Sequence, residues 1–430
     1  METTPTTPTV EQPPTESPST RKTSLGLVFV IVFIDLLGFA IVLPLLPRYA
    51  EHLNASKPVI GLLFSCFSAM QFIFSPLWGR LSDRIGRRPV LLAGLAGSVI
   101  FYAFFGFASE WGSLPLMFAA RIGAGIAGAT ISTAQAYIAD ATGVEGRAKG
   151  MALIGAAFGV GFTFGPILGA VSVRSAADTA GNLNALPMFL ASGLSLIALT
   201  VAFFKLPESL SAGAQRVARR TWLSVAAIRE AMRVPTVGSL LVMFFISTLA
   251  FAQFESTLSL LTKEVFAIKE EYNFYLFSYI GLTLCIMQGV FVRRLVPKLG
   301  ESLMIIIGIV LMGSGLFLVG IAAEEKSMRM LLAIMPVLVA GFSFVTPCVQ
   351  ALISCRSDPS RQGEILGVNQ SASSIARIVG PVLGVSLLAH GYVLPYQVAT
   401  VLIVPALIMA IFTAGTGRDW QPAEAAVKAE

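Results

Sequence analysis

Twelve hydrophobic runs of about 20 residues, separated by short polar segments, are the feature that most constrains this chain. An apolar α-helix of that length crosses the hydrocarbon core of a bilayer, and it bonds its own backbone polar groups internally, as lipid requires. Only 13% of the 430 residues are charged, whereas a soluble domain has about 25%. The sequence therefore predicts an all-α membrane protein with twelve transmembrane helices.

Hydropathy gives the approximate position of each span and of the polar segments around them. The first 24 residues are rich in Thr, Pro, Ser and Glu, and we expect a disordered tail there. The predicted spans cover residues 25–47, 58–79, 90–108, 114–138, 149–171, 185–204, 236–260, 274–292, 302–322, 329–352, 364–388 and 393–414.

Positive charge predicts the orientation of these spans. Most of the 30 Lys and Arg residues fall on one side if the N-terminus is cytoplasmic, including Arg293, Arg294 and Lys298 after span 8. Basic loops are retained in the cytoplasm during insertion. We therefore expect a multi-pass protein of the bacterial inner membrane or another cell membrane, with both termini cytoplasmic.

A long polar segment and a weak repeat divide the chain into two halves. Gly165 and Pro166 in span 5 recur as Gly380 and Pro381 in span 11, an offset of 380 − 165 = 215 residues. Such parallel repeats are related by an axis along the membrane normal. We predict a tail at 1–24, a six-helix bundle at 25–205, a cytoplasmic linker at 206–235, a second six-helix bundle at 236–414 and a tail at 415–430.

The rare reactive residues argue against an enzyme or a metalloprotein. The four cysteines form no CxxC pair, there are only two histidines, and no phosphate-binding loop is present. Most of the basic residues lie between the spans, where membrane topology explains them, so we expect no binding of nucleic acid. We expect no metal and no cofactor other than a proton gradient, and we expect a monomer.

The segment from Gly79 to Pro89, between spans 2 and 3, carries the most specific motif. Its glycines favour close approach of a turn to a neighbouring helix, and its aspartate and arginines form charge-assisted hydrogen bonds. It resembles the GxLxDRxGRRP signature of the major facilitator superfamily, in which the cluster latches the inner ends of two bundles. The resemblance implies the latch residues Gly79, Asp83, Arg84, Gly86, Arg87 and Arg88, with Asp140 as the acidic partner.

Asp35 in span 1 begins a motif that is similar to the first span of twelve-span drug/proton antiporters. Placing a carboxylate in an apolar span costs free energy, so we expect Asp35 to face a polar cavity or a polar partner. Burial favours the neutral form of a carboxyl group, which suits a proton carrier. A packing aspartate bonded to backbone is the alternative.

Further polar residues within the spans are candidates for the same site. Glu255 in span 7 is the second candidate for proton coupling, with an outer structural acid as the alternative. Arg121 begins a motif that is similar to the family's RxxxG motif. We expect its permanent charge to act on a nearby carboxylate or to bind an anionic group of the substrate; a structural ion pair is the alternative. The predicted substrate cavity contains Arg121, Gln288, Gln370 and Arg377, for each of which a polar interhelical contact is the alternative.

Span 5 contains a run of small residues that matches the GxxxGPxxG signature that the family associates with antiporters. Small residues permit close contact between helices, and a proline favours a kink. Ordinary tight packing is the alternative. The resemblance implies a functional motif at Gly161, Gly165, Pro166 and Gly169.

Together these motifs resemble the drug/proton antiporter branch, in particular the tetracycline-resistance type. Tetracycline antiporters also carry aspartates in spans 3 and 9, whereas residues 90–108 and 302–322 here contain no acid. The resemblance therefore implies export of a small amphiphilic molecule in exchange for protons, without specifying tetracycline. The alternative is a symporter or facilitator for a metabolite or organic anion.

Overall fold

The computed structural model describes residues 18–175, 183–210, 229, 232, 235–357 and 362–416. Most of the predicted tails and of the predicted linker lie outside these residues. The described chain is helical over Pro18–His52, Lys57–Ile85, Arg87–Glu110, Leu114–Gly128, Ile131–Ser175, Leu186–Lys205, Pro235–Glu264, Glu270–Ile286, Arg293–Leu299, Glu301–Glu324, Met328–Cys355, Gln362–Leu388 and Leu394–Thr416, with a π-helix at Met287–Val292.

Within these residues, twelve helices are long and apolar enough to cross a membrane, which confirms the predicted fold class. Several differ from the predicted spans in length. Span 1 covers Leu25–His52 and span 2 covers Lys57–Ile85. The remaining spans are Arg87–Glu110, Leu114–Thr142, Ile154–Val173, Leu186–Lys205, Thr236–Glu264, Glu270–Leu299, Glu301–Glu324, Met328–Cys355, Ile365–Leu388 and Leu394–Ala414.

The segment around the arginine-rich motif is more helical than expected. Span 2 continues to Ile85 and span 3 begins at Arg87, so that Gly86 alone separates them. Gly86 has a φ of +105°, a conformation that side chains other than glycine rarely adopt. Gly79 instead has no neighbour within 4 Å of an added Cβ atom. The close approach predicted for Gly79 is therefore wrong, and Gly86 makes the turn.

At the end of the molecule away from Gly86, spans from the two predicted halves are closely packed. Gly61 of span 2 lies against the carbonyl of Pro381 in span 11, and Gly281 of span 8 lies against the carbonyl of Phe162 in span 5. Ser65 also donates a hydrogen bond of 2.5 Å to the carbonyl oxygen of Ile378. These contacts hold spans 2 and 11, and spans 5 and 8, together at this end.

Nearer the other end, three glycines of these spans have no close neighbour. An added Cβ atom on Gly79, Gly289 or Gly367, which belong to spans 2, 8 and 11, would meet no atom within 4 Å. Close contacts between the two predicted halves are therefore seen at one end, and these glycines lack them at the end that carries the arginine-rich motif. With the orientation predicted from charge, the less closely packed end is the cytoplasmic one.

The tight contact at Gly281 gives a prediction about stability. We expect Gly281→Ala to lower the free energy of unfolding by about 1–3 kcal/mol, because its methyl group overlaps the Phe162 backbone and forces spans 5 and 8 apart. Thermal unfolding in detergent measures this loss. Gly289→Ala in the same span is the control, since its surroundings are empty and alanine favours the helix. Equal midpoints for the two variants would contradict the packing.

Candidate transport site

A central cavity lies between the two predicted halves, and three of the candidate residues line it. Arg121 comes from span 4, Glu255 from span 7 and Arg377 from span 11. The remaining wall is mainly apolar, with two phenylalanines and two serines. The full lining consists of Phe39, Leu43, Phe64, Ser68, Arg121, Ala252, Glu255, Ser256, Arg377 and Pro381.

Arg121 is buried against aromatic rings. Its side chain is 3% exposed, and its Cζ atom lies 4.4 Å from the ring centroid of Phe67 and 5.8 Å from that of Phe39. Both rings stabilise the cation through their π faces. The Nε atom has no hydrogen-bond partner in the described structure. The guanidinium is thus packed against the two rings, and its Nε–H is left without a hydrogen-bond acceptor.

Glu255 and Arg377 face the same cavity from the second half. The positive charge of Arg377 acts on the Glu255 carboxylate, but no salt bridge within 4 Å joins Glu255 to any described residue. With Arg121, the cavity lining contains two basic residues and one acidic residue. Protonation of Glu255 would make the lining more positive, and a role of this acid in proton coupling stays a prediction.

Asp35 lies beside a different, smaller cavity, between spans 1, 3 and 4. Ser98 of span 3 donates a 2.9 Å hydrogen bond to the Asp35 carboxylate, and the Tyr102 hydroxyl donates a 3.4 Å bond to the Asp35 carbonyl. This cavity is lined by Ile31, Val32, Asp35, Leu91, Gly94, Leu95, Thr130, Ile131 and Ala134, and it shares no residue with the central cavity. The structure therefore does not bring Asp35 and Glu255 together.

The two glutamines predicted for the substrate site are not among the residues that line the central cavity. Gln370 is exposed, seven residues before Arg377 on span 11. Gln288 is half-buried in the π-helix of span 8. Both lie towards the end that carries the arginine-rich motif, and their role in substrate binding stays a prediction.

The small residues of span 5 contact both halves of the chain. Gly161 and Gly165 lie against span 1, where added Cβ atoms would be 3.1 Å from Leu36 and 2.8 Å from Ala40. Gly169 faces the ring of Phe274 in span 8. Pro166 is buried between these contacts. The motif thus lies where span 5 packs against both span 1 and span 8, and its link to antiport stays a prediction.

The predicted latch is built around Arg87. Its side chain donates to Asp140 of span 4 at 3.1 Å, to Ser82 at 2.7 Å and to Asp83. Arg84 is exposed. The structure therefore ties the start of span 3 to spans 2 and 4.

Glu208, just after span 6, completes this cluster and was missed by the sequence analysis. Its carboxylate accepts hydrogen bonds from the backbone N–H groups of Arg87 and Arg88, at 2.8 and 3.1 Å. An acid is favoured there because the N-terminus of a helix carries partial positive charge. The described partners of Arg87 and Arg88 all lie between residues 82 and 208, so the motif is bound to the N-terminal half in this conformation.

Comparison with known proteins supports the predicted family. The family model of the Major Facilitator Superfamily matches residues 28–381 and 290–429. Tetracycline resistance protein, class E, from Escherichia coli is 33% identical over 366 residues, which cover 83% of this chain and 86% of the relative. Human major facilitator superfamily domain-containing protein 10 is 29% identical, with 89% of this chain and 90% of the relative covered.

Solved structures agree with these sequence relatives. The crystal structure of the human organic anion transporter MFSD10 has a TM-score of 0.69 and 26% identity, and covers 92% of this chain and 100% of its own. A bacterial homolog of the human lysosomal transporter Spinster, in an inward-facing and occupied conformation, has a TM-score of 0.75 at 13% identity and covers 95% and 100%. The second likeness shows the fold alone. This chain is a multi-pass membrane transporter, not an enzyme, and it belongs to the major facilitator superfamily.

Proposed function

We propose that this transporter exports a small amphiphilic molecule in exchange for protons. The supporting observation is the central cavity, which combines Glu255, Arg121 and Arg377 with an apolar and aromatic wall between two halves of the chain. Such a cavity suits a molecule with an apolar body and a polar or charged group. The relatives named as tetracycline resistance proteins support an exported drug or drug-like substrate.

The proposed mechanism is alternating access. The two halves rock about the central cavity, and the open end changes from the cytoplasmic to the outer side. Protonation of Asp35 and Glu255 favours one orientation, and release of the protons on the other side resets it. Inward proton flow then drives the substrate outward without ATP. Both termini are proposed to be cytoplasmic.

Transport by purified protein in proteoliposomes tests this function. A panel that contains a tetracycline, a lipophilic cation and an aromatic carboxylate is offered with and without a pH gradient. We expect accumulation of at least one class against its own gradient when protons flow the opposite way, and loss of accumulation when an uncoupler collapses the gradient. Accumulation that survives the uncoupler would contradict proton coupling.

The buried Arg121 favours a second candidate function, transport of an organic anion. It lies in the cavity without a hydrogen bond at Nε, and one structural relative is an organic anion transporter. An anion can be imported with protons or move down its own gradient. The direction of substrate movement in a pH gradient of either sign separates the candidates. A proton antiporter moves the substrate opposite to the proton flow, whereas a proton symporter moves it in the same direction as the protons.

A further inference from the structure

Arg48, near the outer end of span 1, forms a buried connection between the two predicted halves. Its side chain is 4% exposed. It donates hydrogen bonds to the Ser259 and Thr262 hydroxyls of span 7, at 3.2 and 3.3 Å, and to the carbonyl of Ile268, at 2.9 Å. All three acceptors are neutral. All three belong to the second predicted half of the chain.

Other buried polar groups join the same connection. Asn273 of span 8 donates to the Ser259 hydroxyl at 2.9 Å, and its side-chain oxygen accepts from Thr262 at 2.9 Å. Ser259 in turn donates a 2.7 Å bond to the carbonyl of Pro44 in span 1. The resulting network joins spans 1, 7 and 8 where the molecule is closed. Like the close backbone contacts between spans 2 and 11 and between spans 5 and 8, this network joins the two predicted halves, but it does so through polar side chains.

An ion-pair cluster lies at the rim of this network. Glu51 pairs with Lys263 of span 7 and with Lys57 of span 2, each at 2.5 Å. Lys263 is 40% exposed at its side chain, and such exposed pairs contribute little to stability. The buried guanidinium of Arg48 is the stronger link. Hydrogen bonds that a charged donor makes away from water contribute more free energy than exposed ion pairs do.

Span 7 connects this network with the central cavity. Glu255, Ser259 and Thr262 are separated by four and three residues, and this spacing places them on one face of the helix. Glu255 lines the cavity, whereas Ser259 and Thr262 hold Arg48. A movement of span 7 caused by a change at Glu255 therefore acts directly on the acceptors of Arg48.

We propose that Arg48 is the lock of an outer gate. When its hydrogen bonds to span 7 and Ile268 form, the outer end is closed; to open outward, the guanidinium leaves these acceptors and is solvated by entering water. The carboxylates of Glu270 and Glu51 act on Arg48 through their charge, but its direct hydrogen bonds are to neutral acceptors. Such acceptors suit a reversible lock, since water replaces them more readily than it replaces a directly paired, buried carboxylate. The inference requires alternating access but does not depend on the substrate or on proton coupling.

Distance measurements between two spin labels test the lock. The labels are placed at the exposed residues Glu110 and Glu325, in the outer turns of the two halves, after Cys66, Cys285, Cys348 and Cys355 are replaced by serine. We expect Arg48→Ala to raise the ratio of long-distance, outward-open molecules to closed ones by roughly tenfold or more in membranes. The measurement is made without substrate or pH gradient, so its result is independent of the proposed function.

Two further variants keep this test decisive. Arg329→Ala is the matched control, because Arg329 is an exposed arginine at the same end of the molecule; it is expected to keep the original distances. Thr262→Val removes one acceptor at nearly constant volume and is expected to shift the distances in the same direction as Arg48→Ala, by less. It replaces Arg48→Ala if that variant does not fold. A distance distribution that stays unchanged in the folded variants would overturn the proposal.

Discussion

Asp35→Asn is expected to abolish proton-driven accumulation of substrate in proteoliposomes and to leave downhill substrate exchange measurable. The amide cannot take up or release a proton at physiological pH, whereas its oxygen still accepts the hydrogen bond from Ser98. The cavity beside Asp35 shares no residue with the central cavity, so substrate contacts stay intact. Accumulation and exchange are measured on the same vesicles.

Two acid variants control this experiment. Asp35→Glu keeps a titratable carboxyl group and is expected to retain partial coupling. Glu110→Gln removes an exposed acid at the end of span 3 and is expected to behave like the unmodified protein. Proton-driven accumulation that persists in Asp35→Asn would show that Asp35 is not the essential carrier, and would leave Glu255 as the remaining candidate.

Arg121→Met is expected to weaken binding of an anionic substrate by roughly tenfold to a hundredfold. This range corresponds to the loss of one hydrogen bond with a charged donor, about 1.5–3 kcal/mol. Methionine fills similar volume against Phe67 and Phe39, which keeps the apolar packing. Equilibrium binding of an aromatic carboxylate to the purified protein measures the effect.

A neutral ester or amide of the same aromatic carboxylate is the internal control. Its binding is expected to change much less in Arg121→Met, because it has no negative charge for the guanidinium to bind. Arg121→Lys is expected to be intermediate, since lysine keeps the charge but loses the planar donor edge and the stacking. Equal losses for the acid and its neutral derivative would show that Arg121 has a structural role only.

The fold was predictable because the bilayer imposes a simple constraint. Each span needs a long apolar run, and the twelve runs are visible in the sequence without tertiary information. The span ends were less predictable. Residues 80–85 are mostly polar and were assigned to a loop, yet they continue span 2, because a helix that leaves the membrane is not required to end there.

Part of the candidate site was also predictable. Ionisable residues within apolar spans are rare, and this singled out Arg121, Glu255 and Arg377 before the structure placed them around one cavity. Their rotation about each helix was not predictable. Asp35 faces spans 3 and 4 because of how span 1 packs against its neighbours, and the sequence of span 1 alone does not contain that information.

Residues with tertiary roles near the span ends were missed. Arg48 and Glu208 lie near span ends, where charged residues are normally solvated, and the sequence analysis gave neither of them a role. The structure places Arg48 among acceptors from residues more than 200 positions away, and Glu208 on a helix N-terminus 120 positions away. Such long-range partners leave no local pattern.

Following the internal pH of substrate-loaded proteoliposomes with a trapped fluorescent dye tests the central claim most directly. With no initial pH gradient, substrate that flows out through an antiporter draws protons in. We predict acidification of the lumen at a rate proportional to substrate efflux, and none in vesicles that contain Asp35→Asn. Alkalinisation during efflux would show that protons and substrate move together, and an unchanged pH during efflux would show that they are not coupled.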